Sequence, residues 1–526
     1  MSRGGGNEKG NELVIRNLAE ELKKKKITRE DFQRIKKALA KQSGTSMPAN
    51  REILETLGVG ERKKYLSILQ KKPGRTASGV SILAVMTKPD ECPHGTCVYC
   101  PKVSGVPQSY VDDEPAVMRA KALGYDPFEQ TLCRLKQLKI IGHPASKIEL
   151  VVMGGTFTSR PATYKKGFVK GCYDGLNGFI SRSLPESIAA NEKAEHRCVG
   201  LTIETRPDNV GRKDIDLMLS FGTTRVEIGV QNPDDRIYAM MKRGHKVEDV
   251  VKATQLLKDS GLKVCYHIMP NLPGSDPEKD LKMFRKIFRN PVFRPDMLKL
   301  YPTLVVEGSE LEKMYMKGDY VPYETENLVE LMMEMKKTVP EYARIMRLQR
   351  DVPSQHIVAG CKNTNLRQMV LRRMKERGMV CRCIRCREIM HEEIGPQEMK
   401  NHEIKAKEYE GSGGQDFFIQ AVTENDRLIG LARLRFPFRP FRKEITPKTA
   451  LVRELRVFGP SIPVGIPSGG SPQHRGIGRS LLKKAEEIAK EHGKKKILVT
   501  SGTGAREYYR KLGYVLEGVY MGKRLR

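Results

Sequence analysis

The chain has 526 residues, 39% of them hydrophobic and 30% charged, with 94 Lys and Arg against 63 Asp and Glu and a formal net charge of +31. That length exceeds one hydrophobic core and implies two or three globular domains. No apolar run approaches the roughly 18 residues needed to cross a bilayer, and the polar, glycine-rich Met1–Gly10 lacks the apolar stretch of a secretion signal, so a cytoplasmic protein with no membrane phase is expected. So large a positive excess repels itself and calls for a polyanionic partner, nucleic acid before any other; a merely basic surface is the bland alternative.

Residues 1–75 carry 19 Lys and Arg against 9 Asp and Glu and read as a basic helical region. Thr28 is a helix N-cap with Asp31 at the capping-box position, and Phe32, Ile35 and Leu39 follow at helical spacing. The run Lys23, Lys24, Lys25, Lys26 and the off-face residues Lys36, Lys37 and Lys41 then form either a solvated face or a surface for RNA phosphates. Residues 76–360 alternate short β-rich runs (80–86, 148–153, 199–204, 225–230, 263–269 and 297–301) with helical stretches such as 129–141, 247–259 and 278–288. Six strands with helical crossovers imply a parallel sheet, an α/β partial (β/α)6 TIM-type barrel whose chemistry belongs at the C-terminal strand ends. Residues 361–395 form a cysteine-rich connector, and 396–526 read as an α+β domain. A hairpin (417–422 and 427–436), a strand at 452–458, a Pro/Gly-rich loop at 460–472, a helix at 476–492, a strand at 496–500 and a closing helix–strand pair make it up.

There are eleven cysteines, which in the cytoplasm are thiols or metal ligands rather than disulfides. Cys133, Cys172, Cys198 and Cys265 stand alone and read as small buried hydrophobes. Cys92, Cys97 and Cys100 follow the first strand in a CX4CX2C loop and supply three thiolates for a [4Fe–4S] cluster with one open iron. A structural zinc site completed by His94 is the competing reading. The loop resembles that of radical-SAM enzymes, most of which use CX3CX2C, where the open iron binds S-adenosylmethionine and one electron cleaves it to a 5′-deoxyadenosyl radical. By that resemblance Tyr99 lies against the adenine, Gly154-Gly155-Thr156 receives the SAM amino group, and Glu204 binds the ribose. In the connector, Cys381, Cys383 and Cys386 with Cys361 suit a four-thiolate structural zinc site, with His391 as the competing fourth ligand.

Near the C-terminus, Gln473-His474-Arg475-Gly476-Ile477-Gly478, followed by Arg479, resembles the QxxGxG turn of GNAT acetyltransferases, in which backbone N–H groups and a helix N-terminus take the pyrophosphate of coenzyme A. The preceding Glu454-Leu455-Arg456-Val457 is in position to pair with pantetheine and the acetyl carbonyl, and the resemblance makes Tyr509 the group that protonates the leaving thiolate.

Both signatures in one chain, with Cys-Pro-His-Gly-x-Cys-x-Tyr-Cys-Pro at 92–101, Tyr-Asp-Pro-Phe-Glu-Gln at 125–130, Val-Met-Gly-Gly-Thr-Phe at 152–157, Glu-Thr-Arg-Pro-Asp at 204–208, Arg-Val-Glu-Ile-Gly-Val-Gln at 225–231, Lys-Leu-Tyr-Pro-Thr-Leu-Val at 299–305 and Arg-Glu-Leu-Arg-Val at 453–457, resemble the family of the catalytic subunit of the Elongator complex over essentially the whole length. The resemblance implies synthesis of 5-carboxymethyluridine at the wobble position of tRNA from acetyl-CoA and SAM, recognition of an anticodon stem-loop, and an electron donor for the cluster. It also implies a contact of Lys147 with acetyl-CoA, which makes Lys147 and Tyr509 the catalytic candidates. The short cysteine loop and basic N-terminus resemble the archaeal or bacterial form, which acts without accessory subunits. Two other readings compete. A protein lysine acetyltransferase with a structural cluster is disfavoured by the repulsion between a basic enzyme and a basic substrate. An RNA-binding scaffold with degenerate sites is disfavoured by the intact motifs.

Overall fold

A computed structural model of the chain describes residues 5–24, 27–69, 78–389, 401–459 and 476–525. The N-terminal region is four helices, α1 (Gly5–Lys24), α2 (Arg29–Gln42), α3 (Asn50–Thr56) and α4 (Val59–Leu69). Thr28 caps α2 as its sequence predicts, accepting from the Asp31 backbone at 3.2 Å while the Asp31 carboxylate takes the Thr28 backbone N–H at 3.3 Å. Phe32 is fully buried, and Ile35 and Leu39 close over a small separate core of Leu18, Leu22, Ile53, Leu57 and Leu69. The basic face needs one correction. Lys36 does not stand on the solvent side: it is buried and donates to the Asn50 side chain at 2.6 Å, which in turn donates to the Leu69 carbonyl at 2.8 Å. Its ammonium thus ties three helices together and is withheld from any phosphate. Lys37 and Lys41 are exposed. Lys23 is exposed as well but pairs with Glu61 at 3.2 Å and Glu20 at 3.7 Å. Lys25, Lys26 and the side chain of Lys24 lie outside the described residues.

The central region is an open half-barrel of parallel strands: β1 (Val80–Met86), β2 (Lys147–Met153), β3 (Arg197–Thr205), β4 (Thr223–Gln231), β5 (Lys263–Ile268) and β6 (Met297–Leu300), with a further strand at its edge. A short antiparallel pair, β7 (Val305–Val306) and β9 (Ile357–Ala359), brackets that edge strand, β8 (Arg344–Arg347). The sheet order is β1-β2-β3-β4-β5-β6-β8, every neighbour parallel. The sequence predicts six strands; β8 makes seven. Its two arginines broke the apolar signal, because Arg344 is spent on an ion pair with Glu388 beneath the sheet. Successive residues alternate between faces. Leu150, Val226, Ile228, Val264, Tyr266 and Leu298 pack in the main apolar core. The intervening Glu149, Arg225, Glu227, His267 and Lys299 pair with one another across the strands.

The C-terminal region is a second seven-stranded sheet. An antiparallel meander of β10 (Glu403–Gly411), β11 (Gly414–Val422), β12 (Leu428–Phe436) and β13 (Thr449–Val457) continues through β14 (Lys496–Val499) to β16 (Tyr520–Arg524) and β15 (Val515–Glu517). The helix Ile477–Glu491 covers it with Ile477, Leu481, Leu482, Ala485 and Ile488. β10 escapes the sequence reading because it is a charged edge strand, mostly exposed. β13 pairs in parallel with β14 only from Thr449↔Lys496 to Val452↔Val499, yet it runs on for five residues to Val457. β14 ends at Val499, so Arg453 to Val457 have no partner in β14, and the wedge between the two strands lies along them.

The two sheets are joined by buried charge. Arg453 reaches Asp296 at 2.6 and 2.7 Å and Asp416 at 3.1 Å. Arg435 reaches Asp259 at 2.6 Å and Asp416 at 2.8 Å, and Lys258 adds a contact to Asp416 at 2.7 Å. Arg433 holds Glu454 at 2.8 Å. These side chains are 0–6% exposed, and with a carboxylate answering each cation the domains are docked as one body. Cys172, Cys198 and Cys265 are fully buried as predicted, while Cys133 is half-buried. Among the described residues no helix is long and apolar enough to cross a membrane.

Candidate functional site

The first cysteine loop leaves the C-terminal end of β1. Gln108 clamps it: its side-chain oxygen accepts the Cys92 N–H at 2.9 Å, and its amide donates to the Gly95 carbonyl and the Thr96 hydroxyl, both at 3.1 Å. Val98 N–H donates to Met241 at 3.2 Å and Leu311 N–H to Val98 at 2.9 Å, so two further segments fix the loop. Cys92 is half-buried with its sulfur 3.5 Å from the Thr156 hydroxyl, and Cys97 and Cys100 are buried. His94 lies 3.1 Å and Arg243 3.3 Å from the Cys97 sulfur, and Ser109 lies 2.9 Å from that of Cys100. The hydrogen bond from Cys100, helped by His94 and Arg243, holds the Cys97 thiol down to about 3, while the same bond and burial push Cys100 up. Burial raises Cys92.

Gly154 and Gly155 carry φ of +126° and +84°, and a Cβ on Gly154 would strike the Thr87 hydroxyl. Only glycine lets this strand end pass so close to β1, and the turn delivers Thr156 to Cys92. Glu204, at the end of β3, accepts from the Tyr110 hydroxyl at 2.9 Å and from Lys299 at 3.2 Å. Lys299 also pairs with Glu227, whose further neighbours are His267 at 2.9 Å and Arg225 at 3.3 Å. The Tyr99 ring is buried beside the thiols and its oxygen accepts from Arg243 at 2.9 Å. The predicted SAM residues and the three thiols thus converge at one rim of the half-barrel.

The second cysteine set is of a different kind. The sulfurs of Cys381, Cys383 and Cys386 all lie within 4.8 Å of one another. A tetrahedral ion with Zn–S bonds of about 2.3 Å sets its sulfurs roughly 3.8 Å apart, so this trio suits a single metal. Among the described residues Cys92, Cys97 and Cys100 do not form such a trio. Cys361 is buried but is not a member of the connector trio, which corrects its assignment as the fourth ligand. Lys336 stands beside the trio, its ammonium 3.4 Å from the Cys386 sulfur. His391 lies outside the described residues.

The acetyl-CoA candidates gather at the wedge between β13 and β14. Glu454 to Val457 occupy the end of β13 that pairs with β12 but has no partner in β14. Gly476, at φ +82°, opens the helix that begins with Ile477, Gly478 and Arg479. A Cβ on Gly478 would meet the Tyr508 hydroxyl at 2.8 Å and Val457 at 3.6 Å, which places a second tyrosine at this turn. Tyr509 is buried and its phenol is pushed up by burial, so it stays protonated. Gln473 lies outside the described residues. Glu454 is already engaged by Arg433, and Lys263 beside it holds its carboxyl down to about 2 against the effect of burial.

The wedge opens on the N-terminal ends of the barrel strands. Gly502 and Gly504, just past β14, pack against Val199 and Arg197 at the start of β3 so closely that any Cβ would clash. Lys147 begins β2 directly across from Arg197. Burial and that arginine lower its pKa. Lys147 thus stands at the end of the barrel where its neighbour Arg197 meets Gly504 of the C-terminal domain. Sequence reasoning missed Gln108, Tyr110, Arg243 and Lys299. Lys299 had a signal, a charged residue within an apolar strand; Gln108 and Arg243 lie in loops whose pairing no local pattern announces.

Known proteins match these regions one by one. The Radical SAM superfamily profile covers residues 87–287 and the Radical_SAM C-terminal domain covers 295–376. The Acetyltransferase (GNAT) family covers 385–514 and the ELP3 N-terminal domain covers 11–77. A relative from Methanocaldococcus jannaschii described as tRNA uridine(34) acetyltransferase is 49% identical over 98% of this chain and 97% of its own. Elongator complex protein 3 of Homo sapiens is 40% identical over 94% and 93%. The solved structure of archaeal Methanocaldococcus infernus Elp3 lacking residues 1–46 superposes with a TM-score of 0.77 at 47% identity, covering 86% of this chain and all of that one.

Proposed function

The chain belongs to the family of Elongator complex protein 3 and the tRNA uridine(34) acetyltransferases, and on that premise we propose that it forms 5-carboxymethyluridine at position 34 of tRNA from acetyl-CoA and SAM. The observation that carries this reading is the joining, in one body, of a three-thiol loop at one rim of the half-barrel and an open β13–β14 wedge at the other. A [4Fe–4S] cluster on Cys92, Cys97 and Cys100 with SAM bound supplies a carbon radical strong enough to activate a methyl group.

The chain's own residues then have distinct tasks. Gly154, Gly155 and Thr156 offer backbone groups to the SAM amino acid, Tyr99 backs the adenine, and Glu204, oriented by Tyr110 and Lys299, takes the ribose. Glu454 to Val457, Gln473, Gly476 to Arg479 and Lys147 hold acetyl-CoA. Tyr509 gives its proton to the departing thiolate. Cys381, Cys383 and Cys386 hold a structural zinc ion between the domains. Lys23, Lys24, Lys25, Lys26, Lys37 and Lys41 meet the phosphates of the anticodon stem-loop, whose unstacked bases are cheaper to admit than those of a duplex. The enzyme works in the cytoplasm with an external electron donor and no accessory subunit.

Anaerobic incubation of tRNA with the protein, SAM, acetyl-CoA and a reductant, followed by nucleoside mass spectrometry, tests this. A carboxymethyl group on uridine 34 is expected. Acetylation of a histone peptide with no change in the tRNA would overturn it in favour of a lysine acetyltransferase.

A further inference from the structure

Arg243 lies three residues beyond the helix Asp235–Met240 that follows β4, and its side chain is buried. One guanidinium nitrogen donates to the Cys97 sulfur at 3.3 Å and to the Tyr99 oxygen at 2.9 Å; the other donates to the Gly229 carbonyl. Its loop is fitted to the cysteine loop. Met241 accepts the Val98 N–H, a Cβ on Gly244 would come within 2.7 Å of His94, and Arg206 donates to the Arg243 carbonyl at 2.6 Å. A buried guanidinium needs a counter-charge. The two other arginines near the thiols have carboxylates, Arg206 with Asp208 at 3.0 Å and Arg350 with Glu114 at 3.2 Å. Among the described residues no carboxylate forms an ion pair with Arg243; the groups that favour its charge are the phenol of Tyr99, Cys97 and the phenol of Tyr238. Of these, Cys97 presents its sulfur directly to the guanidinium at 3.3 Å.

We propose that Arg243 sets the reduction potential of the iron–sulfur cluster carried by Cys92, Cys97 and Cys100, through its hydrogen bond to the Cys97 sulfur and its unpaired buried charge. A cluster on three thiolates gains one negative charge when a low-potential donor gives it one electron. A fixed cation beside a ligating sulfur stabilises that state, and a hydrogen bond to the sulfur draws off part of the added charge; both raise the potential. The residue acts through Cys97 and positions charge. It has no contact with substrate to make.

The inference rests on the iron–sulfur reading above, and the test separates the two. The full-length protein, Arg243→Gln and Arg243→Lys are reconstituted anaerobically without SAM, their iron and sulfide are counted, and the cluster is titrated redox-potentiometrically by EPR. Arg243→Gln should hold iron at the level of the parent while its reduction equilibrium falls at least tenfold, about 59 mV for one electron. Arg243→Lys should move the same way by less. If Arg243→Gln alone loses iron, a negative shift in Arg243→Lys supports the proposal and an unchanged potential overturns it. The parent potential in a fully loaded Arg243→Gln overturns it, and so does loss of iron from both variants, which would make the guanidinium a scaffold. A parent protein that forms no [4Fe–4S] signal at all refutes the cluster reading instead.

Discussion

Lys147 begins β2 and Gly154 directly follows it: Lys147 pairs with Arg197, which meets Gly504 of the C-terminal domain, and Gly154 opens the turn to Thr156, which meets the Cys92 sulfur. The strand has seven residues, or about 23 Å at roughly 3.3 Å per residue. The acetyl-CoA wedge and the thiol rim thus lie toward opposite ends of the parallel strands, and buried ion pairs tie the barrel to the C-terminal domain. The space between is lined by a charge string in which Glu149 meets Arg225, Arg225 meets Glu227, Glu227 meets Lys299, and Lys299 meets Glu204.

Lys299 is the one cation shared by Glu204 and Glu227 among the described residues. In Lys299→Met both carboxylates lose it, Glu204 is free to turn away from the ribose position, and SAM affinity should fall about tenfold, a loss of ~1.4 kcal/mol. Acetyl-CoA, bound at the other end of the strands, should keep its affinity. Equilibrium binding of each ligand to the variant checks this; equal losses for both would mean general unfolding of the barrel.

At the wedge the two tyrosines should separate by kinetic constant. Tyr509 is buried and stays protonated, as a general acid must. Tyr509→Phe should lower kcat for CoA release by about 10²-fold or more with KM nearly unchanged. The Tyr508 hydroxyl sits against Gly478 at the helix N-terminus, so Tyr508→Phe should raise the KM for acetyl-CoA and spare kcat. Steady-state CoA release with saturating tRNA distinguishes them, and the opposite pattern would exchange the roles.

The half-barrel and the acetyltransferase sheet were largely legible in the sequence, because apolar alternation marked β1 to β6 and β11 to β14. β8 and β10 were not, since their charged residues answer partners on other elements or sit at an exposed edge. Cys92, Cys97 and Cys100 were readable because one loop carries all three, whereas Cys361 was misassigned because spacing along the chain says nothing about which thiols meet. Lys36 failed for a related reason. At four residues from Phe32 it lies on the same helical face as Phe32 and Ala40, but its charge marked it as solvent-facing, whereas Asn50 takes that charge in the interior.

The domain junction should be sensitive to single substitutions and to acid. Arg453→Met leaves Asp296 and Asp416 buried without their shared guanidinium, a loss of about 3–5 kcal/mol. Glu454, ordinarily near 4.5, is held at about 2 in the fold. Its contribution, of order 3 kcal/mol, is therefore complete above pH 4.5 and is lost as the pH falls toward 2. Thermal melts of the full chain at about pH 7 and about pH 3.5 test both, since the lower value lies inside that window; a melting temperature in Arg453→Met equal to that of the parent would refute the role assigned to this network.

The connector should bind one zinc ion through Cys381, Cys383 and Cys386 with no ligand from Cys361. Elemental analysis of fresh protein should find about one zinc per chain, lost in Cys383→Ser and kept in Cys361→Ser. Because metal binding at such a site contributes folding free energy, a chelator should lower the melting temperature of the parent and leave Cys383→Ser unmoved. Absence of zinc from Cys361→Ser would restore the four-cysteine assignment.

The basic face of α2 makes the last separation, between a lysine that binds phosphate and one that binds protein. Lys37 and Lys41 are exposed on the helix, while Lys36 is buried against Asn50. Removing one lysine–phosphate interaction should flatten the log–log salt dependence of tRNA binding by about 0.7 to 0.9. Lys37→Glu with Lys41→Glu should therefore lower the slope by about two such steps. Lys36→Met should leave the slope unchanged yet lower the stability of the helical region, since it removes the donor that joins α2 to α3 and leaves the Asn50 oxygen unsatisfied, a cost of about 1–3 kcal/mol. Filter binding across a salt series, beside hydrogen exchange of residues 29–69, reads both. An unchanged slope in the double variant would move the tRNA surface off α2, and a changed slope in Lys36→Met would return Lys36 to it.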